Sequence, residues 1–142
     1  MSYSLSFSQA IFTVLFVGDK VRQGLYDFVP TKELSAALGI PNPTAVKILG
    51  NLASAGIIET REGSRGGVRL ARPAKDITLL DVFTAIETGK PMFRQDYKLR
   101  VTGEKPSRAQ KSVFAILSDA EAAMKSHLAL TTIADLMEEL NK

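Results

Sequence analysis

From Ser107 to Leu140 the chain runs 34 residues without a proline or a glycine. Nothing in that stretch breaks a helix, and a continuous one would be about 50 Å long, well beyond the width of a small domain. Val113, Leu117, Ala120, Met124 and Leu128 recur along it close to a heptad seam. One small domain cannot cover such a seam, so the stretch predicts a long helix that meets a second copy of the chain. Thr132 and Asp135 form a capping box, which predicts a break near Leu130–Thr132 and a short final helix.

The rest of the chain is punctuated at short intervals. Ser6 and Gln9 form a capping box ahead of a helix of about 7–22. Phe7, Ile11, Val14, Leu15 and Val21 make one broad stripe and Phe12 and Phe16 lie on another face, which predicts burial on both, either inside the domain or against a partner chain. After a loop over 24–29, Thr31 caps a helix of 32–38 with Leu34, Ala37 and Leu38 inward, and Gly39 takes the left-handed stop. Asn42 as N-cap and Pro43 at the first helical position start a helix of 43–55. Its inward residues are Val46, Leu49, Leu52 and Ala53, and Gly56 ends it. Two strands follow, 57–62 and 68–71, joined by Gly63-Ser64-Arg65-Gly66-Gly67. Thr78 caps a helix of about 79–88 that Gly89 closes. Residues 90–106 have no period and read as a connector. The chain is therefore expected to be mainly α with a small β-hairpin wing. Residues 1–89 form a winged helix–turn–helix domain, 90–106 the connector and 107–142 the C-terminal dimerisation helices.

Composition removes several kinds of function. There is no cysteine, which excludes disulfides, thiol catalysis and cysteine-ligated iron–sulfur clusters. A single histidine, His127, excludes any site of two imidazoles and reads as a surface or interface residue. No triad, metal cluster, phosphate-binding loop or dinucleotide fingerprint is present, so no enzyme and no cofactor are expected. The longest apolar run, Ala10–Val17, is far below the roughly 20 residues a membrane helix needs. It lacks the flanks of a signal peptide, and the expected location is the cytoplasm.

Charge points instead to a polyanion. Residues 41–75 carry Lys47, Arg61, Arg65, Arg69, Arg72 and Lys75 against only Glu59 and Glu62, and the remainder of the chain is close to neutral. In a winged helix–turn–helix the third helix enters the DNA major groove and the hairpin reaches the flanking backbone or minor groove. Lys47 stands on the expected exposed face of that helix. Asn42 and Thr44 stand at its start, where unpaired N–H groups and the positive dipole end suit phosphate. Arg65 and Ser64 sit at the wing tip, with Arg61 on its first strand. Each has a plainer role: Asn42 and Thr44 as caps, Lys47 as a solvated lysine, Ser64 as a turn residue. The same holds for the Met92–Phe93 pair, which reads as core plugging rather than an effector pocket. The pattern predicts a homodimeric, sequence-specific DNA-binding regulator, a repressor on a near-palindromic double-stranded operator. The alternative is a winged-helix protein–protein interaction module without DNA binding. No pattern identifies a small-molecule effector.

The stretch "ELSAALGIPNPTAVKILGNLASAGIIETREGSRGGVRLARPAKDITLLDVFTAIE" resembles the Rrf2 family of bacterial transcription regulators. "GSRGGVRLARP" followed by "DITLLDVFTAIE" is its most specific part. The long C-terminal helix with a short T-x-x-D helix is similar as well, and implies a homodimer crossing through those helices. Two departures stand out. Many members hold an iron–sulfur cluster through three cysteines in the segment matching 90–106, and this chain has none. The family wing often has an arginine before its first glycine, where this chain has Glu62 flanked by Arg61 and Arg65.

Overall fold

The computed structural model describes residues 3–87 and 91–142. Helix α1 (Tyr3–Arg22) leads to α2 (Thr31–Leu38), α3 (Asn42–Ser54) and the hairpin of β1 (Ile58–Arg61) and β2 (Gly67–Leu70). A 3₁₀ turn (Ala74–Asp76), α4 (Leu79–Glu87), the long α5 (Glu104–Leu128) and the short α6 (Ile133–Glu139) complete the order. The strands pair antiparallel with Glu59 opposite Arg69 and Arg61 opposite Gly67. Val29 pairs with Val68 through both backbone bonds (2.7 and 2.9 Å), so the residue before Pro30 extends the hairpin sideways toward α2.

One core joins these elements. Ala10, Val14 and Val17 of α1 pack with Leu34, with Ala45, Ile48, Leu49 and Leu52 of α3, with Ile57, Ile58 and Val68, and with Val82 and Ala85 of α4. Phe7 meets Phe83 edge-on at 5.3 Å. Thr13, buried among them, donates its hydroxyl to the Gln9 carbonyl at 2.7 Å, which removes the cost of an unsatisfied polar group. Ile133 and Met137 of α6 belong to the same core. The start of α6 is bonded to the start of α4 by Leu79 N–H to the Thr131 carbonyl (3.0 Å) and Ile133 N–H to the Ile77 carbonyl (2.8 Å). The end of the segment 107–142 is thus tied back onto the N-terminal helices.

The Thr132–Asp135 capping box forms as expected, and Thr78 caps α4 as expected, in a reciprocal box with Asp81. Gly39 stops α2 at φ +64. Other expectations are corrected. The box at Ser6 and Gln9 does not exist, because α1 already starts at Tyr3 and both residues lie inside it. Phe12 is 57% exposed within its own chain, so of the two expected ways of burying that face the one inside the domain does not hold for it. Pro30, not Thr31, is the N-cap of α2, and Pro41, not Asn42, that of α3; neither helix has a side-chain cap. In each case a proline in extended conformation sets the entry angle, and the polar residue after it is already helical. Ala37 and Val46, expected inward, are exposed. The α3 core face is Ala45-Ile48-Leu49-Leu52, one residue out of phase with the expected stripe. The first hairpin strand is shorter than 57–62, the second starts one residue earlier than 68–71, and α5 begins at Glu104, so Pro106 sits in its first turn. The closing role of Gly89, with the rest of 88–90, lies outside the described residues.

Candidate nucleic-acid interface

The exposed side of α3 and the hairpin enclose one open cleft of about 660 Å³. Val46, Gly50 and Ala53 line one wall, Thr60, Arg61 and Ser64 the other, and Lys32 stands at its rim. The α3 wall owes its shape to phase: with Ala45, Ile48, Leu49 and Leu52 committed to the core, Val46, Lys47 and Gly50 must face out. Small residues keep this wall low. Pro43 has no N–H and no side chain caps α3, so the first-turn amides of Asn42 and Thr44 are left for solvent or a ligand.

The hairpin turns over 62–67 on glycines whose backbone the fold demands. A Cβ on Gly66 would lie 2.1 Å from the Arg61 carbonyl oxygen. One on Gly67 would lie 2.1 Å from that of Val29, and Gly67 also has φ +145. Ser64 and Arg65 are exposed at the tip.

Of the expected contact residues, Arg61 and Ser64 line this cleft, while Asn42, Thr44, Lys47 and Arg65 lie on the same two elements outside its lining. Lys47 and Arg65 are exposed and form no ion pair or hydrogen bond with their side chains among the described residues. Arg61 is engaged: its Nη2 donates to the Arg65 carbonyl at 2.8 Å and its guanidinium lies over the Phe28 ring. Arg69 is paired with Glu59. Arg72, part of the basic excess, is turned away, bridging Asp81 at 3.0 Å and donating to the Gly56 and Asp76 carbonyls. Glu62 is exposed beside the tip. Two residues were missed from sequence. Val46 was hidden by the phase error in α3. Phe28 sits in a loop where periodicity says nothing.

Away from this face, the connector is held to α5 by the Met92 amide donating to Glu121, and by Gln110 donating to the Tyr97 carbonyl at 2.6 Å. The Arg94 guanidinium on Asp96 holds that carboxyl below its usual range. Along α5 no residue is buried within the chain; Val113 is 51% and Ile116 66% exposed. No helix among the described residues is long and apolar enough to cross a membrane.

Comparison with known proteins places this geometry. Residues 5–139 match the family model described as Rrf2, iron-dependent transcriptional regulator. The HTH-type transcriptional regulator Rv1287 of Mycobacterium tuberculosis is 34% identical over 108 residues, which are 76% of this chain. The match spans 65% of that relative's length. Among solved structures, a transcriptional regulator from Lactobacillus plantarum superposes with TM-score 0.76 at 20% identity, covering 96% of this chain and 90% of the other. The T. potens IscR gives TM-score 0.64 at 20% identity over 99% and 86%. CymR, the global cysteine regulator of B. subtilis, gives 0.65 at 16% over 94% of each. The iron in the family description finds no matching donors here. The sequence has no thiolate and one imidazole, and among the described residues no three His, Cys, Asp or Glu gather as a metal site. The residues present do not fit that group.

Proposed function

The chain belongs to the Rrf2 family, and from that premise we propose that it is a transcription regulator that binds double-stranded DNA as a homodimer, with α3 in the major groove and the hairpin on the flanking backbone. The observation that carries this reading is that the two elements walling one cleft, α3 and the hairpin, each also carry an exposed cation with no side-chain partner among the described residues, Lys47 on α3 and Arg65 at the hairpin tip. A fold gains nothing from holding two such charges apart on adjacent elements; a polyanion passing both does.

The division of labour follows from position. The free first-turn amides of Asn42 and Thr44 suit a phosphate. Val46 is 56% exposed and offers a groove only apolar contact, which favours a thymine methyl. Lys47, one residue on, reaches a base edge or phosphate. Arg65 and Ser64 follow the backbone. Phosphate contacts position the protein, and base contacts specify the site. The exposed apolar face of α5 supplies the dimer contact, so two copies of α3 address a near-palindromic operator. Repression, through occupancy of an operator that overlaps a promoter, is the proposed outcome.

Arg65→Ala is expected to weaken binding to operator and random DNA about equally and to lower the salt slope by about one ion. Lys47→Ala is expected to cost roughly 1–3 kcal/mol on the operator and less on random DNA. Glu62→Arg is expected to tighten both. Equilibrium titration of the three variants against both DNAs over a salt series checks this. If none shifts affinity more than twofold, this face is not the DNA surface and the fold serves as a protein-interaction module.

A further inference from the structure

The proposed DNA reading leaves Phe28 unexplained. It precedes Val29, whose side chain enters the core and whose backbone pairs with Val68. Alternation therefore sends Phe28 to the other face of the hairpin, where Arg61 and Arg69 emerge. Their guanidinium carbons lie 4.3 and 4.5 Å from its ring centroid. The ring is only 9% exposed although it sits in a surface loop, because the two arginines cover it. The approach is possible because Gly67 has no Cβ to meet the backbone of Val29 and Pro30.

A guanidinium stacked by its face keeps its edge N–H groups for hydrogen bonds. Arg69 uses its edge on Glu59. Arg61 uses Nη2 on the Arg65 carbonyl, four residues along the turn. The chain of contacts thus runs from Phe28 at the entrance of α2, through the Arg61 guanidinium, to the backbone of the residue that carries the free cation at the tip. We propose that Phe28 is a positioning residue for nucleic-acid binding: by stacking Arg61 it fixes the hairpin tip against the helix–turn–helix, so that Arg65 is presented to phosphate already ordered. The proposal rests on the reading of the hairpin as a DNA contact. A tip ordered before binding loses less freedom on binding, which raises affinity without adding a contact.

The test is a coupling measurement with the full chain and a random-sequence DNA duplex of about 30 base pairs, long enough for two half-sites. Phe28→Leu is expected to weaken binding about fivefold, and Phe28→Tyr, which keeps the ring, to restore it. Arg61→Lys, which keeps the charge and loses the planar stack, is expected to match Phe28→Leu. In an Arg61→Ala background, Phe28→Leu is expected to change affinity less than twofold. Urea unfolding of each variant confirms a folded chain, and if Phe28→Leu does not fold, Arg61→Lys carries the test. Wild-type affinity for Arg61→Lys, or an undiminished effect of Phe28→Leu in the Arg61→Ala background, overturns the proposal. Arg65→Ala separates the two levels. If it too leaves binding unchanged, the DNA reading of the hairpin fails; if it weakens binding while Arg61→Lys does not, only the role of Phe28 fails.

Discussion

Gly67→Ala is expected to destabilise the protein by about 3 kcal/mol or more, as backbone strain and steric overlap combine at one site. The added Cβ would lie 2.1 Å from the Val29 carbonyl oxygen and 2.4 Å from its carbon. Both are backbone atoms, and they are held there by the Val29–Val68 pair. Relief requires breaking that pair, which separates the hairpin from the start of α2 and opens the core at Val68. Gly63→Ala is the comparison. That residue also has a positive φ (+102), but no atom lies within 4 Å of its Cβ. It is expected to cost only about 1–2 kcal/mol, from backbone strain alone. Urea unfolding of the two variants measures the difference directly. Equal losses would mean that the hairpin yields freely and that its approach to Val29 does not hold it.

The second large effect concerns α5. Substituting Val113 and Ile116 together by aspartate is expected to convert the proposed dimer to a monomer in sedimentation at about 10 μM and to weaken operator binding by roughly a hundredfold, since linked half-sites gain about that much over single ones. Both side chains are more than half exposed, and Leu117, Met124 and Leu128 along the same helix are only partly covered by their own chain. Charges on a face already in water cost the monomer little, so a folded monomer is the expected product. Deleting the chain after Gly103 would be a poorer experiment, because it also takes Ile133 and Met137 out of the core. An unchanged dimer from the double substitution would place the subunit contact elsewhere.

What was legible in the sequence follows from how local each cause is. Glycine stops and Thr-x-x-Asp boxes act over one turn, and Gly39, Gly56, Thr78 and Thr132 were read correctly. The order of helices and hairpin followed from them. Where two local signals compete, the sequence misleads: Pro-Thr and Pro-Asn both present a polar cap candidate, and the proline took the cap in each case. In α3 the rows Val46-Leu49-Ala53 and Ala45-Ile48-Leu52 are both apolar at helical spacing, and that ambiguity hid Val46. Burial set by distant segments was not legible at all. Phe12 looks like core on any helical wheel, yet it stays 57% exposed within its own chain. Phe28 has no period to betray it, and its role depends on cross-strand register between residues more than thirty positions away. The basic excess over 41–75 does not all belong to one face, and charge counting could not tell Lys47, Arg65 and Lys75, which have no side-chain partner among the described residues, from Arg69 and Arg72, which neighbouring carboxylates occupy.

The central claim, that this face of α3 and the hairpin binds a specific DNA in two symmetric copies, is tested most directly by selecting bound duplexes from a random-sequence pool with the full-length protein. The account predicts enrichment of one near-palindromic sequence with half-sites about one helical turn apart, lost when Lys47 and Arg65 are both replaced by alanine. A pool that stays random through successive rounds, or an enrichment that the double replacement leaves intact, would contradict it.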